Sequence, residues 1–231
     1  MLDLTRIKAI TLDLDDTLWP VWPAIIRAEQ VLGDWLSLHA PLTCVLFADA
    51  TVRHTLRQQF SQQHPEFRHD LTAQRRETIR LALQHCGENP QLAEPAFEVF
   101  FAERNRVTLF DDVQAGLAFL SSRLPLVALS NGNADIGKIG IAPYFKASVS
   151  ARQFGVGKPD PRIFHAAAEA AGVQAHEVLH VGDDAALDVL AALDCGMQTV
   201  WVNRDKQPWP HAAQPHLSVT TLTELCDLLG A

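Results

Sequence analysis

Nowhere in its 231 residues does this chain hold the roughly 18 consecutive apolar residues that a membrane-spanning helix needs. Asp3, Arg6 and Lys8 precede an apolar run that Asp13 interrupts, a pattern of neither a signal peptide nor a membrane span. The four cysteines, Cys44, Cys86, Cys195 and Cys226, lie far apart with no CxxC pair, which excludes a thiolate metal site and leaves no disulfide framework. Reduced thiols in a cytoplasmic protein are the expectation. Positive charge is also scarce: 19 Lys and Arg stand against 27 Asp and Glu, for a formal net charge of -8 and no basic cluster. A nucleic acid partner is therefore excluded, because a phosphate backbone needs clustered cations. A small anionic ligand stays compatible where Lys158 and a metal meet its charge. There are no internal repeats and no low-complexity tracts. What remains is a soluble globular chain, 48% hydrophobic, long enough for one large domain or for a core with a smaller companion.

The most informative stretch that is present is Asp13-Leu14-Asp15-Asp16-Thr17, directly after the apolar run Ala9-Ile10-Thr11-Leu12, which predicts a short buried strand. Residues two apart on an extended chain share a side, so Asp13 and Asp15 can face one point. Carboxylates that close repel each other unless a cation lies between them or one takes a proton. Alone, such a stretch is more often an acidic turn that caps a helix. Three further stretches follow apolar runs of strand length: Ser130-Asn131-Gly132 after Leu124 to Leu129, Lys158 in Gly155-Val156-Gly157-Lys158-Pro159 after a strand around Ala147 to Ser150, and Gly182-Asp183-Asp184 after Val178 to Val181, with Asp188 five residues past Asp183. In an open parallel sheet the carboxyl ends of the strands line one crevice, where such groups can meet.

Between the first motif and Val113 the pattern turns helical, as in Ala24 to Leu38 and Leu71 to Leu83. Roughly Trp22 to Arg106 reads as a helical insertion broken at His64-Pro65 and Asn89-Pro90. From Asp112 helix and strand alternate, which predicts βαβ units and a parallel sheet. Asp160-Pro161 has the pattern of a helix start, with Asp as the cap and Pro in the first turn. Gly196 to Val202 is expected to be the last core strand, followed by a Pro-rich surface loop over Asn203 to Pro215 and a short closing helix.

The order DxDxT, Ser after a strand, Lys before Pro, then GDDxxxxD resembles the haloacid dehalogenase-like hydrolases. His69-Asp70-Leu71-Thr72, Leu129-Ser130-Asn131-Gly132-Asn133 and Leu179-His180-Val181-Gly182-Asp183-Asp184 resemble, more narrowly, the branch with bacterial flavin mononucleotide and sugar-phosphate phosphatases. The resemblance implies an α/β fold with a Rossmann-like parallel sheet core (residues 1–20 and 108–231) and an inserted α-helical cap (21–107). It implies a Mg²⁺-dependent phosphatase acting through an aspartyl-phosphate on a small phosphate monoester, with flavin mononucleotide or a flavin-pathway phosphate first and sugar phosphates next. A monomer or weak dimer is expected.

Carried over residue by residue, Asp13 is the nucleophile and Asp15 the general acid and base. Asp13, the Asp15 main-chain carbonyl and Asp183 would hold the metal. Asp184 and Asp188 would touch the ion through water or orient its ligands, although Asp184 is equally a helix cap. Ser130 and the Asn131 amide would donate to the phosphoryl group and Lys158 would neutralise it. For specificity, Trp19 could stack on a flat ligand or pack across the hinge, and Arg75 is preferred over His54, Arg57, His69 and Arg76 for reaching a polar substrate end.

Four rivals stay open on the sequence: a haloacid dehalogenase or a phosphomutase on the same core, a receiver-like phosphoacceptor, and a catalytically weak phosphate-binding relative. A dehalogenase needs neither a metal nor an acid two residues after the nucleophile. A receiver places its acidic pair before the phosphoacceptor, whereas here the pair comes late in the chain.

Overall fold

In the computed structural model, which describes residues 2–230, the chain divides into two compact units, residues 1–20 with 108–231 and residues 21–107. The first unit is built on a sheet of six parallel strands among the described residues: β1 (Ala9–Leu12), β2 (Leu126–Ser130), β3 (Ala147–Ser150), β4 (Val178–Gly182), β5 (Gln198–Val202) and β6 (Leu217–Val219). Their order is β3-β2-β1-β4-β5-β6. This is a Rossmann-like arrangement, with the chain moving outward on one side of β1 and then crossing to the other.

Every residue of β1, β2, β4 and β5 is buried, as expected of central parallel strands covered on both faces. The helix Pro161–Ala171 shows how the covering is made. Its buried residues Ile163, Phe164, Ala167, Ala168 and Ala171 fall at helical spacing and join Val127, Leu129 and Val178 in one apolar core. Asp160 caps it by accepting from the Arg162 amide at 3.0 Å, as the Asp-Pro signal predicts.

The sequence-based end of the sheet needs one correction. The loop over 203–215 leads first to β6, which pairs with β5 in the register Val202↔Val219, and then to the closing helix Leu222–Gly230. Three residues with one buried side chain are too short for an alternation to register.

The second unit is helical, with helices Val21–His39, Pro41–Ala48, Ala50–Gln63, Leu71–His85 and Ala93–Arg104. Ala28, Leu32 and Leu36 line one face of the first and pack with Ile79, Leu83, Phe97 and Phe100 in a separate core. Pro65 and Pro90 open short 3-10 turns at the two expected breaks. Among the described residues no helix is long and apolar enough to cross a membrane.

Candidate active site

The pairing register carries the acidic motifs to one end of the sheet. Leu12 of β1 pairs with Val181 of β4 and with Ala128 of β2, and the Asp13 amide donates to the Val181 carbonyl at 2.9 Å. Asp13 therefore leaves β1 beside the strand that ends at Gly182 and delivers Asp183. One carboxylate oxygen from each of Asp13, Asp183 and Asp188 lies within 4.8 Å of the others. The Lys158 ammonium sits between two of them, 2.5 Å from Asp13 Oδ1 and 2.5 Å from Asp188 Oδ1.

Asp188 is brought back toward β4 by an unusually wide turn. Residues Ala185–Leu190 form a π-helical segment in which the Asp188 and Val189 amides both donate to the Asp184 carbonyl, a geometry that recurs at functional sites. Asp184 caps that segment, its Oδ1 accepting from the Ala186 and Leu187 amides at 2.8 Å each. Of the two roles open for Asp184, the structure shows the cap. The return of Asp188 requires glycine at 182, because a Cβ there would lie 2.5 Å from Asp188 Oδ2.

His180, to which the motifs assign no role, completes the buried cluster. Its Nε2 is 3.2 Å from Asp188 Oδ1 and its Nδ1 is 2.8 Å from Thr11 Oγ1. Burial pushes the imidazole pKa down, so the ring is neutral. A carboxylate can only accept, so Nε2 carries the proton and Nδ1 accepts from the Thr11 hydroxyl. The signal was a lone His in an apolar strand, which by itself does not distinguish a core residue from a site residue.

Charge in the cluster is unbalanced, with three carboxylates facing one ammonium. Although burial opposes its charge, Lys158 is held protonated by Asp13 and Asp188. Asp188, equally buried, stays well below the usual carboxylate range because Lys158 and His180 donate to it, and the Asp184 amide adds a third bond at 3.0 Å. Asp13 has only Lys158, and burial, reinforced by Asp188 and Asp183, raises it well above its ordinary value. Burial and Asp188 push Asp183 up to about 7. An excess of buried carboxylate oxygens fits a hard divalent cation. Both oxygens of Asp188 are already occupied by protein donors, which leaves Asp13 and Asp183 as the carboxylates suited to direct ligation.

Beyond Asp13 the chain curls tightly. The Leu18 amide donates to the Leu14 carbonyl at 2.8 Å, the Asp16 amide donates to the Trp19 carbonyl at 2.8 Å, and Asp16 takes a left-handed φ of 58°. This turn aims Thr17 Oγ1 at Asp183 Oδ1, 2.7 Å away, and the Trp19 indole N–H at Asp15 Oδ1, 2.9 Å away. Trp19 is fully buried. Of the two uses the sequence left open for it, stacking on a flat ligand and packing, the structure shows packing, with the indole N–H gripping Asp15.

Ser130, the buried last residue of β2, accepts from the Gly132 amide at 2.9 Å, which leaves its hydroxyl hydrogen to donate. The Asn131 side chain clasps the backbone of residue 158, donating to its carbonyl at 2.8 Å and accepting from its amide at 2.7 Å. Asn131 thus places Lys158, a task the motif did not suggest. Arg75 does not stand free for a substrate. It is half-buried in the helical unit, ion-paired with Glu29 at 2.6 Å and stacked over Phe100 with 4.3 Å from Cζ to the ring centre.

A sequence model of the family described as haloacid dehalogenase-like hydrolase matches residues 7–196. The chain is 33% identical over 234 residues to 5-amino-6-(5-phospho-D-ribitylamino)uracil phosphatase of Escherichia coli, covering 98% of both chains. It is 37% identical over 157 residues to phosphoserine phosphatase of Thermus thermophilus, covering 65% of this chain and 63% of that protein. Among solved structures it superimposes with a TM-score of 0.93, at 36% identity and with 97% and 98% of the two chains covered, on a protein described as 2-haloacid dehalogenase from Pseudomonas syringae pv. Tomato DC3000.

Proposed function

The chain belongs to the haloacid dehalogenase-like hydrolases, and we propose that it acts within that family as a phosphatase that hydrolyses a small phosphate monoester through a phosphorylated Asp13. The observation that carries this reading is the cluster of Asp13, Asp183 and Asp188 carboxylates around a single lysine, with Asp15 two residues after the nucleophile. The full-length similarity to a phosphatase whose named substrate carries a phosphorylated ribityl chain supports a phosphorylated polyol, sugar or flavin-like ester. The helical unit over 21–107 is read as the cap that the resemblance implies.

Asp13, Asp183 and the Asp15 main-chain carbonyl would hold a Mg²⁺ ion. When bound, the ion supplies positive charge that offsets the repulsion between a carboxylate nucleophile and an anionic phosphate. An Asp13 oxygen attacks phosphorus as the bond from phosphorus to the ester oxygen breaks. Lys158 and the Ser130 hydroxyl face the phosphoryl oxygens. Asp15, with one oxygen held by the Trp19 indole, gives its proton to the departing alkoxide through the other. It then removes a proton from the water that attacks phosphorus and frees Asp13, so its role reverses between the half-reactions.

Asp15→Ala is accordingly expected to lower turnover of alkyl phosphates by about 10²- to 10⁴-fold while affecting p-nitrophenyl phosphate far less, since nitrophenolate leaves without a proton. Equal losses on both substrates, measured by phosphate release, would remove the acid role from Asp15.

The similarity to a protein described as a 2-haloacid dehalogenase favours a second reading, in which Asp13 displaces halide from carbon. That chemistry has no use for a proton donor at Asp15 or for an acidic pair facing the nucleophile. A panel of phosphorylated metabolites and short 2-haloacids, assayed for phosphate and halide with and without Mg²⁺, decides between them. Mg²⁺-dependent phosphate release supports the phosphatase. Halide release alone, insensitive to chelation, overturns it.

A further inference from the structure

Arg204 follows β5 and lies outside every motif that marks the family resemblance, yet its guanidinium is held on three sides. Nε and Nη2 donate to the Thr17 carbonyl at 3.1 and 2.9 Å. Nη1 and Nη2 donate to Asp112 Oδ1 and Oδ2 at 3.0 and 3.3 Å, and Cζ rests 3.9 Å from the centre of the Phe110 ring. Asp112 is itself fixed by the Leu222 amide at the start of the closing helix. Phe110 is tied to the same loop, its amide donating to the Leu18 carbonyl at 3.1 Å. A planar fork that binds a carboxylate and a carbonyl together is a task for Arg and not for Lys.

Thr17 joins this clamp to the acidic cluster. It is fully buried, its carbonyl is gripped by Arg204, and its hydroxyl donates to Asp183 Oδ1. The Asp183 carbonyl is meanwhile held at 2.7 Å by the indole N–H of Trp201, on the same strand that delivers Arg204. Side chain and main chain of Asp183 are thus both oriented from the end of β5.

We propose that Arg204 is a positioning residue that acts through Thr17 to keep the Asp183 carboxylate aimed at Asp13, and so sets the affinity of the pair for a divalent cation. The inference rests on the proposed metal-assisted reading of the site. Arg204 touches neither substrate nor the reacting atoms. Outer partners of metal ligands commonly alter metal affinity by about 10- to 100-fold when removed.

The test measures Mg²⁺ binding by titration calorimetry without substrate, on the full chain, for wild type, Arg204→Met, Arg204→Lys, Thr17→Val and the Arg204→Met/Thr17→Val double variant. Arg204→Met is expected to weaken Mg²⁺ by about 10- to 100-fold, with Arg204→Lys between it and wild type. The double variant should bind Mg²⁺ no more weakly than about twofold below the worse single one, because both changes cut the same link. At saturating Mg²⁺ the KM for p-nitrophenyl phosphate should stay within about twofold of wild type, since only the metal's support has changed. If Arg204→Met does not fold, Arg204→Gln replaces it under the same criteria. Folded variants with wild-type Mg²⁺ affinity, losses that multiply in the double variant, or a wild type that binds no Mg²⁺ would overturn the inference. A wild type that binds Mg²⁺ but hydrolyses no phosphate ester would instead overturn the proposed function, leaving the clamp to be judged on binding alone.

Discussion

Asp13→Asn is expected to reduce turnover by at least about 10⁴-fold, because an amide oxygen cannot form the acyl-phosphate bond and the remaining donors only bind the phosphate. The same variant should fold and melt no lower than wild type. Burial and the neighbouring Asp188 and Asp183 oppose the Asp13 charge, so a neutral side chain of the same shape removes a repulsion. Its Oδ1 can still accept from Lys158, and Lys158 keeps Asp188 as counter-ion at 2.5 Å. Phosphate release and a thermal melt on one preparation check both halves. More than about 0.01% residual turnover in a folded variant would mean that the nucleophile is another group, given the loss of at least about 10⁴-fold that the assignment requires.

Lys158→Met should be the most destabilising single change at the site. Lys158 is nearly solvent-free and bridges two buried carboxylates, so its removal leaves Asp13 and Asp188 facing each other without a shared cation. Breaking a buried pair in this way costs about 3–5 kcal/mol. For a chain of this size that lowers the melting temperature by on the order of 10 °C. Activity should fall with it, since the phosphoryl group loses its fixed positive charge. The electrostatic cause can be separated from lost packing by adding Asp13→Asn to Lys158→Met. With one of the two charges gone, and Asp188 still held by His180 and the Asp184 amide, the double variant should regain about 2 kcal/mol over Lys158→Met. A double variant less stable than Lys158→Met would show that packing, and not repulsion, sets the loss.

Much of this arrangement was legible before any coordinates. The apolar run Ala9 to Leu12 marked β1 over the residues the structure assigns, because a central parallel strand has to be apolar on both faces, and Ala147 to Ser150 marked β3, which lies at the edge of the sheet and is only partly buried. Asp160-Pro161 announced a helix that begins there, since capping and proline geometry are decided within one turn. The four motifs in order named Asp13, Ser130, Lys158 and Asp183, which the fold carries to the carboxyl ends of its strands. The partners of Trp19 and Arg75 were not legible in the sequence. A Trp or an Arg near a site suggests contact with substrate, but Trp19 faces Asp15 and Arg75 faces Glu29, and neither partner can be named from spacing alone.

Local order in this protein, its strands, caps, breaks and motif sequence, was determined by residues a few positions apart, whose sterics and hydrogen bonds act within a turn or a strand. Tertiary structure alone decided the division of labour between two of the acids: Asp188 as the counter-ion of Lys158, and Asp183 turned by Thr17 toward Asp13. It alone revealed His180 beneath Asp188 and Arg204 behind Thr17. The reason is distance along the chain. Lys158 and Asp13 are 145 residues apart and Arg204 and Thr17 are 187 apart, so strand register, not local propensity, chooses those partners.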